Sequence, residues 1–302
     1  VSQLFAGIDV GGTTIKSLIV DQGGNVLRTA AIPTHSSTSS QICRVAIELV
    51  QAHPEIASIG VVTPGVVDED RGVVVYASNL DLDDAPVSAE VARATGRPTL
   101  LGHDGRSAGL AETTFGAGRG VRSSLLIPIG TGISAALCLH DHVWPGETFT
   151  AGEIGHVPAV IDGEPCACGQ RGCLEVYASA TGIARRYHQM GGPATSAREV
   201  EAHLGDHDIA DRVWSDAVSA LAFVLTHLTL SVDPGRIIIA GGLSNAGETL
   251  LAPLRLRMAS MLAWRKPPET VVSELGGTAG QWGAAILACR ANGSTDYLGW
   301  AP

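Results

Sequence analysis

Four residues in the middle of the chain are spaced to hold a metal ion: His156, Cys166, Cys168 and Cys173, in the pattern H-x9-C-x-C-x4-C. Three thiolates and an imidazole suit a closed tetrahedral zinc site, and Gly169 and Gly172 let the chain fold round a small sphere. The alternative is a disulfide with a spare thiol, because three clustered cysteines cannot all pair. Cys43, Cys138 and Cys289 sit in apolar runs and read as inert core residues. Ligation would also pin two carboxylates, Glu153 three residues before His156 and Glu175 two after Cys173. Rigid carboxylates and an imidazole are good acceptors for sugar hydroxyls, with zinc as a brace. Taken singly, each Glu reads equally as a helix-capping or solvated charge.

A second chemistry is signalled by glycine turns. Asp9-Val10-Gly11-Gly12-Thr13-Thr14 places two Gly and two Thr in a hairpin turn, where backbone N–H groups and hydroxyls can face one point, as a phosphate requires. Gly130-Thr131-Gly132 repeats the device, and Gly241-Gly242 ends a further apolar strand, where α/β proteins bind ligands. Each alone could be a plain turn; together they point to a polyphosphate. The chain has only two lysines, Lys16 and Lys266, and neither follows a Gly, so a G-x-x-x-x-G-K phosphate loop is excluded. Gly116-Ala117-Gly118-Arg119-Gly120 lacks the dinucleotide spacing G-x-G-x-x-G, which disfavours a Rossmann dehydrogenase. Asp104, after an apolar strand and opening a helix, reads as a helix N-cap or as a general base taking a proton from an alcohol that attacks a γ-phosphate. In the second reading Asp9 would orient magnesium through water. Asn79 reads as a turn former or a hydroxyl partner.

These residues need an α/β scaffold, and the composition agrees. Of 302 residues, 45% are hydrophobic, 17% charged and 4% aromatic, with 37 Gly, the profile of a globular enzyme with about two domains and many tight turns. A net charge of −10 provides no basic face for nucleic acid or an anionic membrane. Residues 1–8 show no signal peptide, and the apolar stretch from Ala217 to Val232 is too short and too marked by polar groups to span a bilayer, so a cytoplasmic chain is expected. Three short strands (Leu4 to Asp9, Lys16 to Val20, Val26 to Ala31) precede a helix from Ile42 to Ala52, its spacing helical and its end set by Pro54. Strand Ile56 to Val62, helix Val87 to Ala94, strand Thr99 to Leu101 and helix Arg106 to Thr114 follow. Residues 124–139 echo 5–15, apolar strand into Gly/Thr turn into strand, which reads as an internal repeat. Helices run through Val232, then strand Arg236 to Ala240, a helix to Met261 and a last helix from Ala279 to Arg290. The expected boundary divides a smaller domain, 1–115, from a larger one, 116–302, that carries the zinc loop.

The whole set, with Thr63-Pro64-Gly65, Asp68 and Leu80, resembles the bacterial ROK family of repressors, open reading frames and kinases, from about Leu4 to Arg290. The resemblance implies a ribonuclease-H-like, actin/hexokinase-type two-domain duplication with a central cleft, and ATP-dependent phosphorylation of a hexose 6-hydroxyl, glucose above all. It implies Asp104 as catalytic base, and Asn79, His103, Asp104, Glu153, His156 and Glu175 as sugar ligands. Gly11, Gly12, Thr13, Thr14, Gly130, Thr131 and Gly132 would clamp ATP phosphates, Gly241 and Gly242 would flank the nucleoside, and Asp9 would serve Mg2+. Structural Zn2+ and a homo-oligomer, dimer or tetramer, are also implied. Two departures from the pattern stand out: His103 stands where the family usually has Asn, with Gly105 after the Asp where Ala is common, which bears on the choice of sugar, and Ser134 stands where Gly or Ala is usual. Family repressors carry a helix-turn-helix ahead of the Asp9 motif, and with eight residues there DNA binding is not expected. A silent sugar-sensing protein, a kinase for another hexose or N-acetylhexosamine, and inorganic polyphosphate as donor are the competing readings; two lysines and the negative charge favour ATP.

Overall fold

All residues of the first strand, β1 (Leu4–Val10), are buried except Asp9, and a strand apolar on both faces must be covered on both. The computed structural model, which describes residues 3–35, 38–140, 142–193 and 195–302, shows how. Val1 and Ser2, at the head of the stretch read for a leader, and Ser36 and Ser37 of the Ser/Thr-rich segment lie outside the described residues. The chain forms two units: Val1–Arg119 with Asp141–Thr150 and Gly277–Pro302, and Gly120–His140 with Ala151–Gly276.

In the first unit β1 pairs antiparallel with β2 (Thr14–Asp21), which pairs with the exposed edge strand β3 (Val26–Pro33). After α1 (Thr38–Ala52), β4 (Ile56–Thr63) returns parallel to β1. A small antiparallel sheet follows, β5 (Val66–Asp68), β6 (Val73–Ala77) and β7 (Leu82–Ala85), which the short apolar runs did not announce. Then come α2 (Val87–Thr95), β8 (Thr99–His103), parallel to β4, and α3 (Asp104–Phe115). Strand β8 runs two residues further than expected, and α3 begins at Asp104 rather than Arg106.

The second unit repeats the plan. β9 (Ser123–Pro128) pairs antiparallel with β10 (Ala136–Leu139) and parallel with β12 (Arg236–Ala240), which pairs parallel with β13 (Glu269–Val272). The relation of β1 to β2, β4 and β8 is thus repeated by β9 with β10, β12 and β13, as the echo between residues 5–15 and 124–139 implies. The two-residue strand β11 (His142–Val143) belongs to the part of the chain that returns to the first unit. Between β10 and β12 lie the cysteine loop, α4 (Leu174–Ala178), α5 (Ala180–Gln189), α6 (Ala197–Ala202) and α7 (Asp208–Val232). Among the described residues α7 is the one helix long and apolar enough to cross a membrane by length and composition; half of its most apolar window is buried in the protein. Val213, Ala217, Leu221 and Leu225 of α7 join the core of this unit. α8 (Glu248–Met261) connects β12 to β13.

The units do not follow the continuous division at 115/116. The last helix, α9 (Ala279–Ala291), packs on β1 and β4 of the first unit. A side chain at Gly60 would collide with the backbone of Ala284, so the sheet admits α9 only because Gly stands there. Ser58 Oγ donates to Ala288 O at 2.5 Å, and Trp282 and Trp300 pack with Phe115. The C-terminal 26 residues therefore complete the first core.

Candidate active-site residues

In the first unit the glycine turn is a tight hairpin: Gly11 N donates to Thr14 O at 2.9 Å, and Thr34 Oγ1 donates to Gly11 O at 2.7 Å. Gly12 and Thr13 are exposed at its tip. Asn79, in the 3-10 turn Ser78–Leu80, lies against it; a side chain at Gly12 would come within 3.1 Å of Asn79 Nδ2. Asp9 is the penultimate residue of β1, its carboxylate packed against Gly280 at the start of α9 and Lys16 opposite it on β2. Burial, reinforced by the charge of Asp104 and offset in part by Lys16, pushes the Asp9 carboxyl up to about 6. A carboxylate raised by the charge of a second one beside it marks a donor set that a hard cation fits, since Mg2+ takes one or two carboxylates together with substrate phosphates. Lys16 was not singled out in the sequence; its only signal was scarcity.

The end of β8 settles which residue caps α3. The N-cap is His103, whose Nδ1 accepts from Arg106 N at 3.3 Å. Asp104 is the first helical residue, which removes the reading of it as the N-cap. Its Oδ1 accepts from Gly105 N at 2.6 Å and lies 3.4 Å from His103 Nδ1, and its side chain is 40% exposed. His103 Nδ1 is thus turned to its own helix. Beneath it lies a buried guanidinium: Arg106 Nε donates to Glu69 Oε1 at 3.0 Å, and Glu69 Oε1 also accepts from His103 N at 2.9 Å.

In the second unit Cys168 Sγ and Cys173 Sγ are 3.7 Å apart, and Cys166 Sγ and His156 Nδ1 are 3.8 Å apart. The four candidate ligand atoms all lie within 4.8 Å of one another. Zn–S bonds of about 2.3 Å at tetrahedral angles require sulfur atoms about 3.8 Å apart, so the donor set fits zinc. Desolvation, with hydrogen bonds and charge from Cys166 and Cys168, pushes the Cys173 thiol up to about 12, which a divalent ion would reverse. Glu175, in the first turn of α4, places Oε1 3.6 Å from His156 Nδ1 and 3.5 Å from Cys166 Sγ. Its Oε2 borders Gly132 and Gly155. Glu153 is exposed at the head of the turn Ile154–His156 and makes no capping hydrogen bond.

Gly130-Thr131-Gly132 follows β9, with Gly130 N donating to Gly132 O at 3.0 Å and Gly130 O accepting from Ala180 N at 2.9 Å. Gly241, at φ 76°, lies so close to Ile129 that a side chain would strike Ile129 O. Two cavities of about 600 Å³ each adjoin these turns. Gly130, Thr131, Arg185 and His188 line one; Gly242, Asn245 and Arg198 line the other; Ala180, Ser196 and Ala197 line both. The α5 and α6 residues carry no motif, so only folding reveals them.

The ROK family model matches residues 5–291. The chain belongs to the ROK family. A glucokinase of Streptomyces coelicolor is 32% identical, over 94% of this chain and 97% of that relative. Among solved ROK structures, the hexokinase of Thermus thermophilus superimposes with a TM-score of 0.82 at 31% identity, covering 95% of this chain and 98% of that one. The ROK glucokinase of Streptomyces griseus in complex with glucose and AMPPNP gives 0.80 at 29% identity, covering 95% and 99%. The two-unit α/β duplication described above is the ROK sugar-kinase fold, of actin/hexokinase type.

Proposed function

We propose that this chain is an ATP-dependent hexokinase of glucokinase type, transferring the γ-phosphoryl group of ATP to the 6-hydroxyl of a hexose, glucose first. The observation that carries the reading is the placement of Asp104: first residue of α3, half in solvent, relieved of capping by His103, and near enough to Asp9 to perturb it. In this reading Asp104 takes the hydroxyl proton, the sugar oxygen attacks the γ-phosphorus, and ADP leaves. The turns Gly11 to Thr14 and Gly130 to Gly132, each closed by its own first N–H, would meet the phosphates with their remaining N–H groups and hydroxyls, and Gly241 and Gly242 would flank the nucleoside, whose base the 600 Å³ cavities would take. Asp9 would hold Mg2+, which would supply neutralisation of the phosphate charge. Asn79, His103, Glu153, His156 and Glu175 bind the sugar.

His156, Cys166, Cys168 and Cys173 would hold a structural zinc ion; with Nδ1 turned to the thiols, His156 keeps Nε2 for a hydroxyl. An enzyme drawing on ATP and free hexose acts in the cytoplasm, and the reading includes no nucleic acid or membrane partner. Phe223 and Leu230, seven residues apart on α7, are exposed apolar side chains of the kind a homo-oligomer, dimer or tetramer, covers. ADP release measured with glucose, mannose, fructose and N-acetylglucosamine, with MgATP or polyphosphate as donor, tests the reading. Turnover highest with glucose and MgATP is expected; a different preferred sugar would assign another hexose kinase, and no turnover with any pair would favour a sugar sensor.

A further inference from the structure

One buried charge in the first unit is not used by the reaction just described. Arg106, in the first turn of α3, is 3% exposed, and its guanidinium serves three acceptors on two stretches of chain, residues 67–69 and Phe149. Nε donates to Glu69 Oε1 at 3.0 Å, one Nη to Val67 O at 3.1 Å and the other to Phe149 O at 3.2 Å. Glu69 Oε1, held by Arg106, accepts from the backbone N–H of His103 at 2.9 Å, while the Arg106 N–H is itself taken by His103 Nδ1. Phe149, at φ 59°, lies in the left-handed region, where a non-glycine residue has to be held by its surroundings. The strand end and the helix start that flank Asp104 are therefore fixed from both sides, by Glu69 on the backbone before it and by Arg106 two residues into the helix.

We propose that Arg106 and Glu69 form a positioning pair for Asp104 and His103, setting the carboxylate at the angle from which it meets the acceptor hydroxyl. The inference rests on the reading of Asp104 as base. A buried planar fork with three acceptors on two segments cannot be replaced by the point charge of Lys, and a displacement of about 1 Å at a reacting group lowers turnover by about 100-fold.

The test compares R106M, R106K, E69Q and the double variant R106M/E69Q with the parent, alongside D104N. For R106M and R106K we expect kcat lowered by about 10- to 100-fold, with KM for MgATP within about twofold. The single charge removals leave a partner uncompensated and lower the melting temperature; the double variant removes both charges and regains melting temperature, yet kcat stays low. Recovery of kcat together with melting temperature would reduce the pair to a structural role and overturn the proposal, as would parental kcat in R106K and R106M. If D104N keeps turnover within about tenfold of the parent, the reading of the base fails; if D104N is inactive while the Arg106 variants keep parental kcat, the positioning role alone fails.

Discussion

Asp104 and Asp9 do different work because their surroundings differ. Asp104 is half in solvent and has given up the cap to His103, whereas Asp9 is held under α9. Asp104→Asn keeps the shape but cannot accept a proton, so turnover should fall by about 10²–10⁴-fold while calorimetry still finds glucose and nucleotide binding. The raised carboxyl of Asp9 has a consequence for stability. Below about pH 4 the group is protonated in both folded and unfolded chains; from there to about 6 the unfolded chain ionises and the folded one keeps its proton. Stability of the nucleotide-free protein should therefore fall as pH rises through that window, by at most about 3 kcal/mol, and level off above it. Melting curves from pH 3.5 to 7.5 check this: Asp9→Asn should flatten the slope and melt higher near neutrality, and should lose Mg2+-dependent nucleotide binding. At this scale the glycine turns, the carboxylates and the ligand quartet could all be read from type and spacing. The His103 cap could not, because it depends on where α3 starts, and the apolar spacing points to Arg106, two residues after the true start. Neither could the Arg106–Glu69 pair, whose members are 37 positions apart.

Among the elements, the cysteine loop has the least regular structure and the strongest local signal. The clustering of its four candidate ligand atoms follows from short spacing along the chain, which is why it is legible without a fold. Protein purified without chelator should contain one zinc per chain by elemental analysis. Cys168→Ser should weaken glucose binding through His156 and Glu175 before it weakens nucleotide binding, because the nucleotide cavities are lined by α5, α6 and the Gly242 turn. Equal loss of both would mean that the loop supports the whole unit. The small sheet β5-β6-β7 and strand β13 were not legible: their strands are three to five residues long, too short for a period of two to stand out, and their pairing is tertiary.

For the whole molecule the duplication was visible, since both copies run an apolar strand into a Gly/Thr turn, and the sheets repeat one another in pairing sense. The ownership of α9 was not visible. An apolar helix carries no local mark of which core it joins; here nine of its thirteen residues are buried, and the mark is Gly60 on a strand more than two hundred positions away. A chain ended at residue 276 should lose cooperative unfolding of the first unit, and a fragment of residues 116–302 should bind hydrophobic dyes through its unpartnered α9. A monomeric 116–302 fragment with no dye binding would show that α9 is stable without the first sheet.

The central claim is that the γ-phosphoryl group of ATP ends on the 6-oxygen of glucose by way of Asp104. Phosphorus NMR of parent and Asp104→Asn protein, each incubated with equimolar glucose and MgATP, tests it most directly. The account predicts ADP and glucose 6-phosphate in equal amounts with the parent, and with the variant both formed at least about 100-fold more slowly. Inorganic phosphate in place of the sugar ester, phosphorylation at another oxygen, or product formed by the variant at a rate near that of the parent would contradict it.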